Sequence, residues 1–246
     1  MVPYTPMDTK SKLKIIVFGA TGGIGSAICH SLVKDGHDLI TIGHHQEKTN
    51  TLVEELKNDN PDCVGYTCDL ENFDDLTALS QTITENHGDI DWIIYSAGFI
   101  DGTPFQSQTR DVVEKTITLN FTSLFVASQL FINRLATDGG IIAISSLAGL
   151  QGNGRYAAYA AAKGAVDSFI KSLAFIFKDA NKNQTALTIC PGPTNTEMRE
   201  QLAHDASKHQ SPDIIGNLVS DIISKKNYKN GDILIVKNNN ISLFTS

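Results

Sequence analysis

Short apolar runs alternate with longer amphipathic segments along most of the chain. The runs are brief and rich in β-branched residues, which is typical of strands buried on both faces of a sheet. They predict seven strands: Lys14–Phe18, Asp38–Ile42, Cys63–Thr67, Asp91–Ser96, Gly140–Ser145, Thr185–Cys190 and Asp232–Val236. The intervening segments predict six helices: Ile24–Lys34, Thr49–Asn58, Phe73–Asn86, Arg110–Leu135, Tyr156–Phe177 and Pro212–Ser224. This alternation implies right-handed βαβ units and a doubly wound parallel sheet with helices on both faces, an α/β fold of Rossmann type.

No internal repeat and no linker rich in Pro, Gly or Ser divides the chain. A length of 246 residues is within the range that α/β folds fill as one domain. We therefore predict a single domain over residues 1–246, in which residues 1–13 are flexible. Residues 195–211 contain few large apolar side chains, which favours a mobile substrate flap. The tail beyond Val236 is too short to form a further domain.

Composition narrows the classes of function. A net charge of −7 argues against nucleic-acid binding, because neutralising phosphates requires clustered Lys and Arg. The four cysteines lack the C-x2-C spacing of a metal site and are expected to be packed, reduced thiols. No apolar run approaches the ~20 residues of a membrane span. The polar N-terminus has no apolar signal region, so we expect a cytoplasmic protein without a membrane partner.

A glycine-rich turn follows the first predicted strand and leads directly into a helix. Its glycines have the spacing G-x3-G-x-G, and its candidate cofactor residues are Gly19, Thr21, Gly23, Ile24 and Gly25. Glycines permit a tight turn and let backbone N–H groups approach a pyrophosphate at a helix N-terminus. Such a turn can also serve packing alone, but its position after the first strand favours a dinucleotide site.

The end of the second strand bears on the choice of cofactor. NAD-binding folds usually place Asp or Glu there to bind the ribose 2′-hydroxyl. In this chain His44 and His45 occupy that place, and the nearest carboxylates, Asp38 and Glu47, are misplaced. His44, His45 or Lys48 could contact a 2′-phosphate; the alternative is that the histidines are exposed loop residues, since neutral His is a poor substitute for Arg. We favour NADP, with NAD as the alternative.

A candidate proton-transfer pair lies at the start of the fifth predicted helix. Tyr159 and Lys163 are four residues apart, so they share one helix face. A free Tyr has a pKa near ~10, and a nearby cation is expected to lower it. Tyr159 could then exchange a proton with a carbonyl oxygen that Ser146, at the end of the fifth strand, polarises. Taken alone, a Tyr and a Lys at this spacing are common on helices.

Asn120 falls inside the predicted helix Arg110–Leu135. Asparagine is mildly unfavourable there, so its side chain is expected either to be exposed or to bond to a specific partner.

Together these residues resemble the short-chain dehydrogenase/reductase family over about Lys14 to Val236. The matching elements are the Gly19–Gly25 turn, Asp69-Leu70, Ser96-Ala97-Gly98, Asn120, Ser146, the Tyr159/Lys163 pair and Pro191-Gly192-Pro193. The resemblance implies the sheet order 3-2-1-4-5-6-7. It also implies a homodimer or homotetramer that associates through the helices predicted at Arg110–Leu135 and Tyr156–Phe177.

The resemblance assigns roles that spacing alone does not show. Asp69 would bind the adenine amine, Leu70 would pack on the ring, and Ser96, Ala97 and Gly98 would line the adenosine ribose. Pro191, Gly192, Thr194 and Thr196 would lie at the nicotinamide and phosphate end. Lys163 would bind the nicotinamide ribose and lower the pKa of Tyr159, while Asn120 would hold a water that links Lys163 to solvent.

Three departures from the family pattern are visible. Tyr95-Ser96 replaces the usual Asn-Asn, which removes a side chain that supports the central strands. Lys237–Asn240 replaces the usual Gly-Gly after the last strand, which puts the usual tetramer contacts in doubt. The segment 195–211 is short for a substrate flap.

We expect an NADP(H)-dependent oxidoreductase that interconverts a carbonyl and a secondary or primary alcohol, with Tyr159 as general acid and base. The alternative is a catalytically silent NADP-binding sensor, although such relatives typically lose the Tyr or the Lys. A sugar-nucleotide epimerase or dehydratase is disfavoured because no substrate domain follows the sheet. The net negative charge of the chain does not favour an acyl-carrier protein as partner, because such a protein is itself acidic and prefers a basic docking patch.

Overall fold

The computed structural model describes residues 12–180, 183–200, 202, 209–225 and 227–245. These residues contain one eight-stranded sheet with the order β3-β2-β1-β4-β5-β6-β7-β8. Its strands are β1 Lys14–Phe18, β2 Asp38–Gly43, β3 Val64–Thr67, β4 Ile90–Tyr95, β5 Leu135–Ile144, β6 Thr185–Pro191, β7 Ile233–Lys237 and β8 Asn240–Leu243. The first seven strands pair in parallel and have the predicted order.

Helices cover both faces of the sheet. They are α1 Gly23–Lys34, α2 Gln46–Lys57, α3 Phe73–His87, α4 Arg110–Ile117, α5 Ser123–Phe131, α6 Leu147–Gln151, α7 Ala157–Asp179, α8 Glu197–Glu200 and α9 Asp213–Lys225. One apolar core lies between the sheet and α3, α5 and α7, and the second lies between the sheet and α1, α2 and α9. Successive strand side chains point to opposite faces, so Ile15 and Ile16 of β1 belong to different cores.

The predicted helix Arg110–Leu135 is wrong in its interior and at its end. A π-helical turn, Thr118–Thr122, separates α4 from α5, and Leu135 opens β5 instead of closing a helix. Two side chains form hydrogen bonds with backbone carbonyl groups at this turn. The Asn120 amide donates to the Thr116 carbonyl at 2.8 Å, and the Ser123 hydroxyl donates to the Thr118 carbonyl at 2.8 Å. Such side-chain bonds compete with the regular helical ladder and favour a wider turn.

The eighth strand was not predicted. β8 pairs antiparallel with β7, and the connecting residues Asn238 and Asn239 both have positive φ, 50° and 64°. Two positive φ angles are the geometry of a type I′ hairpin turn, which Asn adopts more easily than most residues. The chain after Val236 therefore extends the sheet by one antiparallel edge strand.

The four cysteines are free and buried, as expected. Among the described helices none is long and apolar enough to cross a membrane, and the described residues contain no cluster of metal-ligating side chains. The predicted flexible segment 1–13 lies outside the described residues up to residue 11. The predicted flap 195–211 lies outside them at residue 201 and at residues 203–208.

Candidate active site

The glycine turn between β1 and α1 brings backbone close to backbone. Gly19 has φ +71°, and a Cβ at this position would lie 2.5 Å from the Ala97 backbone nitrogen. A Cβ on Gly25 would collide with the Gly19 carbonyl oxygen. Only glycine fits at both places without a shift, so the turn stays open to a ligand at the first N–H groups of α1. The residues present therefore fit a pyrophosphate group.

Thr196, after the carboxyl end of β6, faces the glycine turn, which follows the carboxyl end of β1. A Cβ on Gly23 would lie 2.8 Å from the Thr196 methyl group. One residue further, Glu197 forms an exposed ion pair with Lys48 of α2 at 3.0 Å. The segment after β6 and the segment after β2 thus meet over the start of α1.

Thr194, which is predicted to contact the cofactor, forms two side-chain hydrogen bonds within the protein. The Thr194 hydroxyl donates to the Gly192 carbonyl at 3.0 Å and accepts from the Gln210 amide at 3.3 Å. The side chain is buried. Gly192 in turn donates its N–H to the Val236 carbonyl at 2.7 Å, which ties the Pro191-Gly192 corner to β7.

The end of β2 carries no carboxylate. Gly43 is buried against Thr21 and Thr49, and the exposed His44 and His45 follow with their rings in an edge contact at 4.7 Å. Because a 2′-phosphate would meet imidazole rings there rather than Asp or Glu, this end of the cleft does not repel it.

The predicted adenosine-side residues follow β3 and β4 at the same sheet edge. Asp69 is exposed and accepts the Glu71 N–H at 3.0 Å, whereas Leu70 is buried. Ser96 donates its N–H to the Phe18 carbonyl at 2.9 Å, which holds the end of β4 beside β1. These residues flank the glycine turn, as parallel strands require of segments at their carboxyl ends.

Lys163 is buried beneath Tyr159 on α7. Its Nζ donates to the Ile144 carbonyl at 2.9 Å and lies 5.7 Å from the centre of the Tyr159 ring. Burial lowers the pKa of Lys163 to about 8, against the raising effect of the Asp167 carboxylate. The ammonium is therefore present at neutral pH but is close to its titration point.

The Ser146 hydroxyl lies near the Tyr159 hydroxyl. Ser146 also caps α6, where its oxygen accepts the Ala148 N–H at 3.2 Å. Burial raises the pKa of Tyr159, and the Ser146 hydroxyl and the Arg199 charge oppose this effect. The lowered pKa expected from the Tyr/Lys spacing was therefore wrong for this chain, because loss of water around the phenol outweighs the nearby charges.

Asn120 is buried in the π-helical turn and is bonded to specific partners. Its amide donates to the Phe99 carbonyl at 2.6 Å, and its oxygen accepts the Phe99 N–H at 3.3 Å. A Cβ on Gly98 would lie 2.7 Å from the Asn120 oxygen and 3.5 Å from Lys163 Nζ. Gly98, Asn120 and Lys163 are thus brought together, although Gly98 and Lys163 are 65 positions apart in the chain.

A cavity of about 460 Å³ adjoins the start of α7. It is lined by Gly102, Pro104, Phe105, Gln106, Gly154, Arg155 and Ala157. This volume is within the range of small-molecule sites. Five of the seven lining residues are exposed, so the cavity is open to solvent, and Ala157 at its edge is two residues before Tyr159 along α7.

Residues 13–207 match the family model described as short chain dehydrogenase. The chain belongs to the short-chain dehydrogenase family. It is therefore an oxidoreductase of this family.

Two curated relatives and one solved structure give the range of this similarity. The chain is 30% identical to a 3beta-hydroxysteroid dehydrogenase of Mediterraneibacter gnavus over 193 residues, which are 78% of this chain and 69% of the relative. It is 34% identical to an acetoacetyl-CoA reductase of Allochromatium vinosum over 189 residues, 74% of this chain and 75% of the relative. A short-chain dehydrogenase from Shigella flexneri complexed with NADP superposes with a TM-score of 0.85 at 24% identity, covering 94% of this chain and 98% of the other.

Sequence reasoning on this short-chain dehydrogenase missed a buried polar group under Lys163. Asp167, one helical turn after Lys163, accepts a hydrogen bond from the Cys190 thiol at 3.5 Å. Ser145 donates its hydroxyl to the Lys163 carbonyl at 3.1 Å. Burial raises the pKa of Asp167, and the Lys163 charge opposes the rise. The i, i+4 spacing from Lys163 is the signal that could have identified Asp167.

Tyr95 and Arg199 were also missed. The Tyr95 hydroxyl lies 2.5 Å from the Ser123 hydroxyl, so the residue that replaces the usual Asn fastens β4 to the π-helical turn. Arg199 acts on Tyr159 through its charge. Neither position has a local pattern, because each contact joins segments that are distant in sequence.

Proposed function

We propose that this protein is an NADP(H)-dependent oxidoreductase that interconverts a carbonyl and a secondary or primary alcohol. The observation that carries the proposal is the position of Tyr159 and a buried Lys163 on one face of α7, with Ser146 beside the tyrosine, at the carboxyl ends of the strands, where the glycine turn also lies. A nicotinamide cofactor bound at that turn would supply or accept the hydride. Proton transfer and stabilisation of the developing charge are assigned to side chains of the protein.

Tyr159 is the proposed general acid and base. Because burial raises the pKa of Tyr159, its hydroxyl is protonated at neutral pH and can donate a proton to a carbonyl oxygen. Ser146, which lies beside that hydroxyl, would hold the same oxygen and stabilise the charge that develops on it. In the reverse direction the tyrosinate form of Tyr159 would accept the proton from an alcohol.

Lys163 and Asn120 are the proposed supports of Tyr159. With a pKa lowered to about 8, Lys163 carries a positive charge at neutral pH and favours the tyrosinate that remains after proton transfer. We propose that Lys163 also binds the cofactor ribose and that Asn120 keeps a water-filled path to Lys163 open. The bonds of Asn120 to Phe99 and Thr116 support this role, because they fix its side chain beside Lys163.

NADP is the proposed cofactor, with NAD as the alternative. Two observations support NADP: exposed histidines follow β2 where NAD-binding folds place a carboxylate, and the similar Shigella flexneri protein is complexed with NADP. Titration of the protein with NADPH and NADH should give the lower Kd for NADPH. We propose that the cofactor is bound by a set of residues that we call the cofactor cradle: the glycine turn, His44, Asp69, Leu70, Ser96, Ala97, Gly98, Pro191, Gly192, Thr194 and Thr196.

The substitution Tyr159→Phe tests the mechanism. It removes only the hydroxyl, so kcat should fall on the order of 10²- to 10⁴-fold, the usual contribution of a positioned acid or base. The Kd of the cofactor should change little. The measurement is NADPH consumption with a panel of ketones and aldehydes, together with cofactor binding by fluorescence titration.

Tyr156→Phe is the matched control, since Tyr156 is a second tyrosine at the start of α7 and is buried. It should retain most activity. Full activity of Tyr159→Phe would contradict the proposed mechanism. Tight cofactor binding by the native protein without turnover of any carbonyl would favour a sensor that does not transform its ligand.

A further inference from the structure

Arg199 lies on α8, between the two parts of the candidate site. Three residues before it, Thr196 faces Gly23 of the glycine turn. Three residues after it, Leu202 packs against Gly102, where an added Cβ would lie 3.2 Å from a Leu202 methyl group. Gly102 lines the cavity beside α7. Arg199 therefore stands where the cofactor cradle and the cavity meet.

The charge of Arg199 acts on Tyr159. Its guanidinium is close enough to the Tyr159 hydroxyl to favour the tyrosinate form of that residue, against the effect of burial. The Tyr159 hydroxyl is the proposed donor to the carbonyl oxygen of the substrate. A group on the substrate close to that carbonyl therefore lies within reach of Arg199.

The side chain of Arg199 lacks a protein partner for part of its hydrogen-bonding capacity. Its Nε is shielded from solvent and has no hydrogen-bond partner within the described part of the chain. Its neighbour Glu197 is engaged by Lys48. Among the described residues, Arg199 takes part in none of the ion pairs. A shielded guanidinium nitrogen without an acceptor is costly and is usually matched by an anionic oxygen.

The distribution of arginines points in the same direction. The chain carries a net charge of −7 and has only four arginines. Two of them lie in this part of the molecule, since Arg155 lines the cavity and the charge of Arg199 acts on Tyr159. The other cavity residues include Pro104 and Phe105, which offer apolar contact. A compound with a short apolar chain, a carbonyl group and a carboxylate would match these surroundings.

We infer that Arg199 binds a carboxylate of the substrate, so that the protein acts on oxo acids and on the corresponding hydroxy acids. This inference rests on the proposed function, because it assumes that the carbonyl group meets Tyr159. The competing partner for Arg199 is the cofactor pyrophosphate, which Thr196 and the glycine turn also approach. The position of Arg199 near the Tyr159 hydroxyl favours the substrate.

The first experiment compares substrates that differ only in charge. The kcat/KM values of 3-, 4- and 5-oxo acids are measured beside those of their methyl esters, with the native protein and with Arg199→Gln. The native protein should prefer one of the acids over its ester. In Arg199→Gln this preference should fall about 10- to 100-fold, which corresponds to the loss of a charge-assisted hydrogen bond. Arg199→Lys should retain part of the preference, because it keeps the charge and loses only the planar fork.

The second experiment requires no turnover. Hexanoate and hexanamide are titrated calorimetrically into the protein saturated with NADP, or with NAD if that cofactor binds more tightly. Hexanoate should bind about tenfold or more tightly than the neutral amide, and Arg199→Gln should abolish this difference. The Kd of the cofactor should be almost the same in both proteins. Arg110→Gln is the control, since it removes an exposed arginine that pairs with Glu114 on α4.

The possible results separate the two proposals. Equal binding of hexanoate and hexanamide to the native protein, or an unchanged difference in Arg199→Gln, would overturn the inference. Weaker cofactor binding by Arg199→Gln with an unchanged hexanoate difference would assign Arg199 to the pyrophosphate and also overturn it. If no carbonyl compound is turned over but Arg199→Gln abolishes the hexanoate difference, the proposed function fails and the carboxylate site stands.

Discussion

At the scale of single residues, the buried partners of Lys163 determine its charge. Its Nζ is bonded to the Ile144 carbonyl, and two acidic groups are near it: the carboxyl of Asp167 on its own helix and the thiol of Cys190 on β6. Burial lowers the pKa of Lys163 to about 8, whereas Asp167 and Cys190 raise it. An ammonium that titrates this close to neutrality makes the site sensitive to pH.

We predict that Asp167→Asn narrows the pH range of activity. Ionised Asp167 raises the pKa of Lys163, so the neutral amide should let that pKa fall further below its usual value. If activity requires the ammonium, the alkaline limb of the kcat/KM profile should move to lower pH. The measurement is a pH profile between about 6 and 10, combined with thermal melting.

Ser168→Ala is the control for this prediction, because Ser168 is the next residue of α7 and is exposed. Its alkaline limb should coincide with that of the native protein. An alkaline limb that stays in place in Asp167→Asn would show that Asp167 supports only the packing of α7. Loss of activity at every pH in proportion to loss of folded protein would lead to the same conclusion.

At the scale of elements, the π-helical turn Thr118–Thr122 connects the sheet to α7. Asn120 reaches from this turn to Phe99 after β4, and Ser123 meets Tyr95 at the end of β4. Through these bonds the turn holds Asn120 beside Lys163. A regular helix over the same residues would place the side chains with a different spacing, so the irregular turn serves the site.

Gly98→Ala should disturb this arrangement. The added Cβ would lie 2.7 Å from the Asn120 oxygen, so Asn120 and then Lys163 must move. A displacement of catalytic groups by about 1 Å can cost on the order of 10²-fold in rate, and kcat should fall by at least tenfold. Steady-state kinetics of the variant measure the change in kcat, and circular dichroism verifies that the variant is folded.

Gly36→Ala is a control for stability in the same experiment. Gly36 precedes β2 with φ +87°, and nothing lies within 4 Å of a Cβ there. The strain should lower the free energy of unfolding by about 1 kcal/mol without changing kcat. If Gly98→Ala loses no more activity than Gly36→Ala, the contact between Gly98 and Asn120 has no part in catalysis.

At the scale of the whole molecule, an aromatic surface on α5 and α7 suggests how copies of the chain associate. Phe125 and Phe169 have ring centres 4.9 Å apart, and Phe121 packs on both at 6.3 and 6.1 Å. Phe125 remains 37% exposed. An exposed cluster of large apolar groups is typical of an interface. It supports the proposal of a homodimer or homotetramer.

Phe125→Glu should therefore shift the protein towards monomers, because it places a charge in the proposed interface. Light scattering coupled to size-exclusion chromatography measures the mass. Phe73→Glu is the matched control, since Phe73 on α3 has the same 37% exposure outside this surface. A native protein that is monomeric, or an equal effect of both substitutions, would contradict the proposal.

The sequence by itself determined the features that depend on neighbours along the chain. Alternation of short β-branched runs with amphipathic segments predicted the seven parallel strands, and the ends of six of them were correct to within one residue. The order of the strands was implied by the family resemblance and is confirmed. The four-residue spacing of Tyr159 and Lys163 placed both on one helix, and the glycine turn followed β1 as expected. Local patterns suffice for these features because they arise from the periods of helix and strand.

The tertiary structure decided whatever depends on contacts between distant segments. The helix over Arg110–Leu135 is interrupted because Asn120 and Ser123 find partners that local propensity does not register. The pKa of Tyr159 is raised because several elements together exclude water from it, an effect that the spacing to Lys163 does not contain. Arg199 enters the site only because α8 is placed over the sheet edge. Burial and long-range charge effects are properties of the assembled fold, so they can be determined only from the tertiary structure.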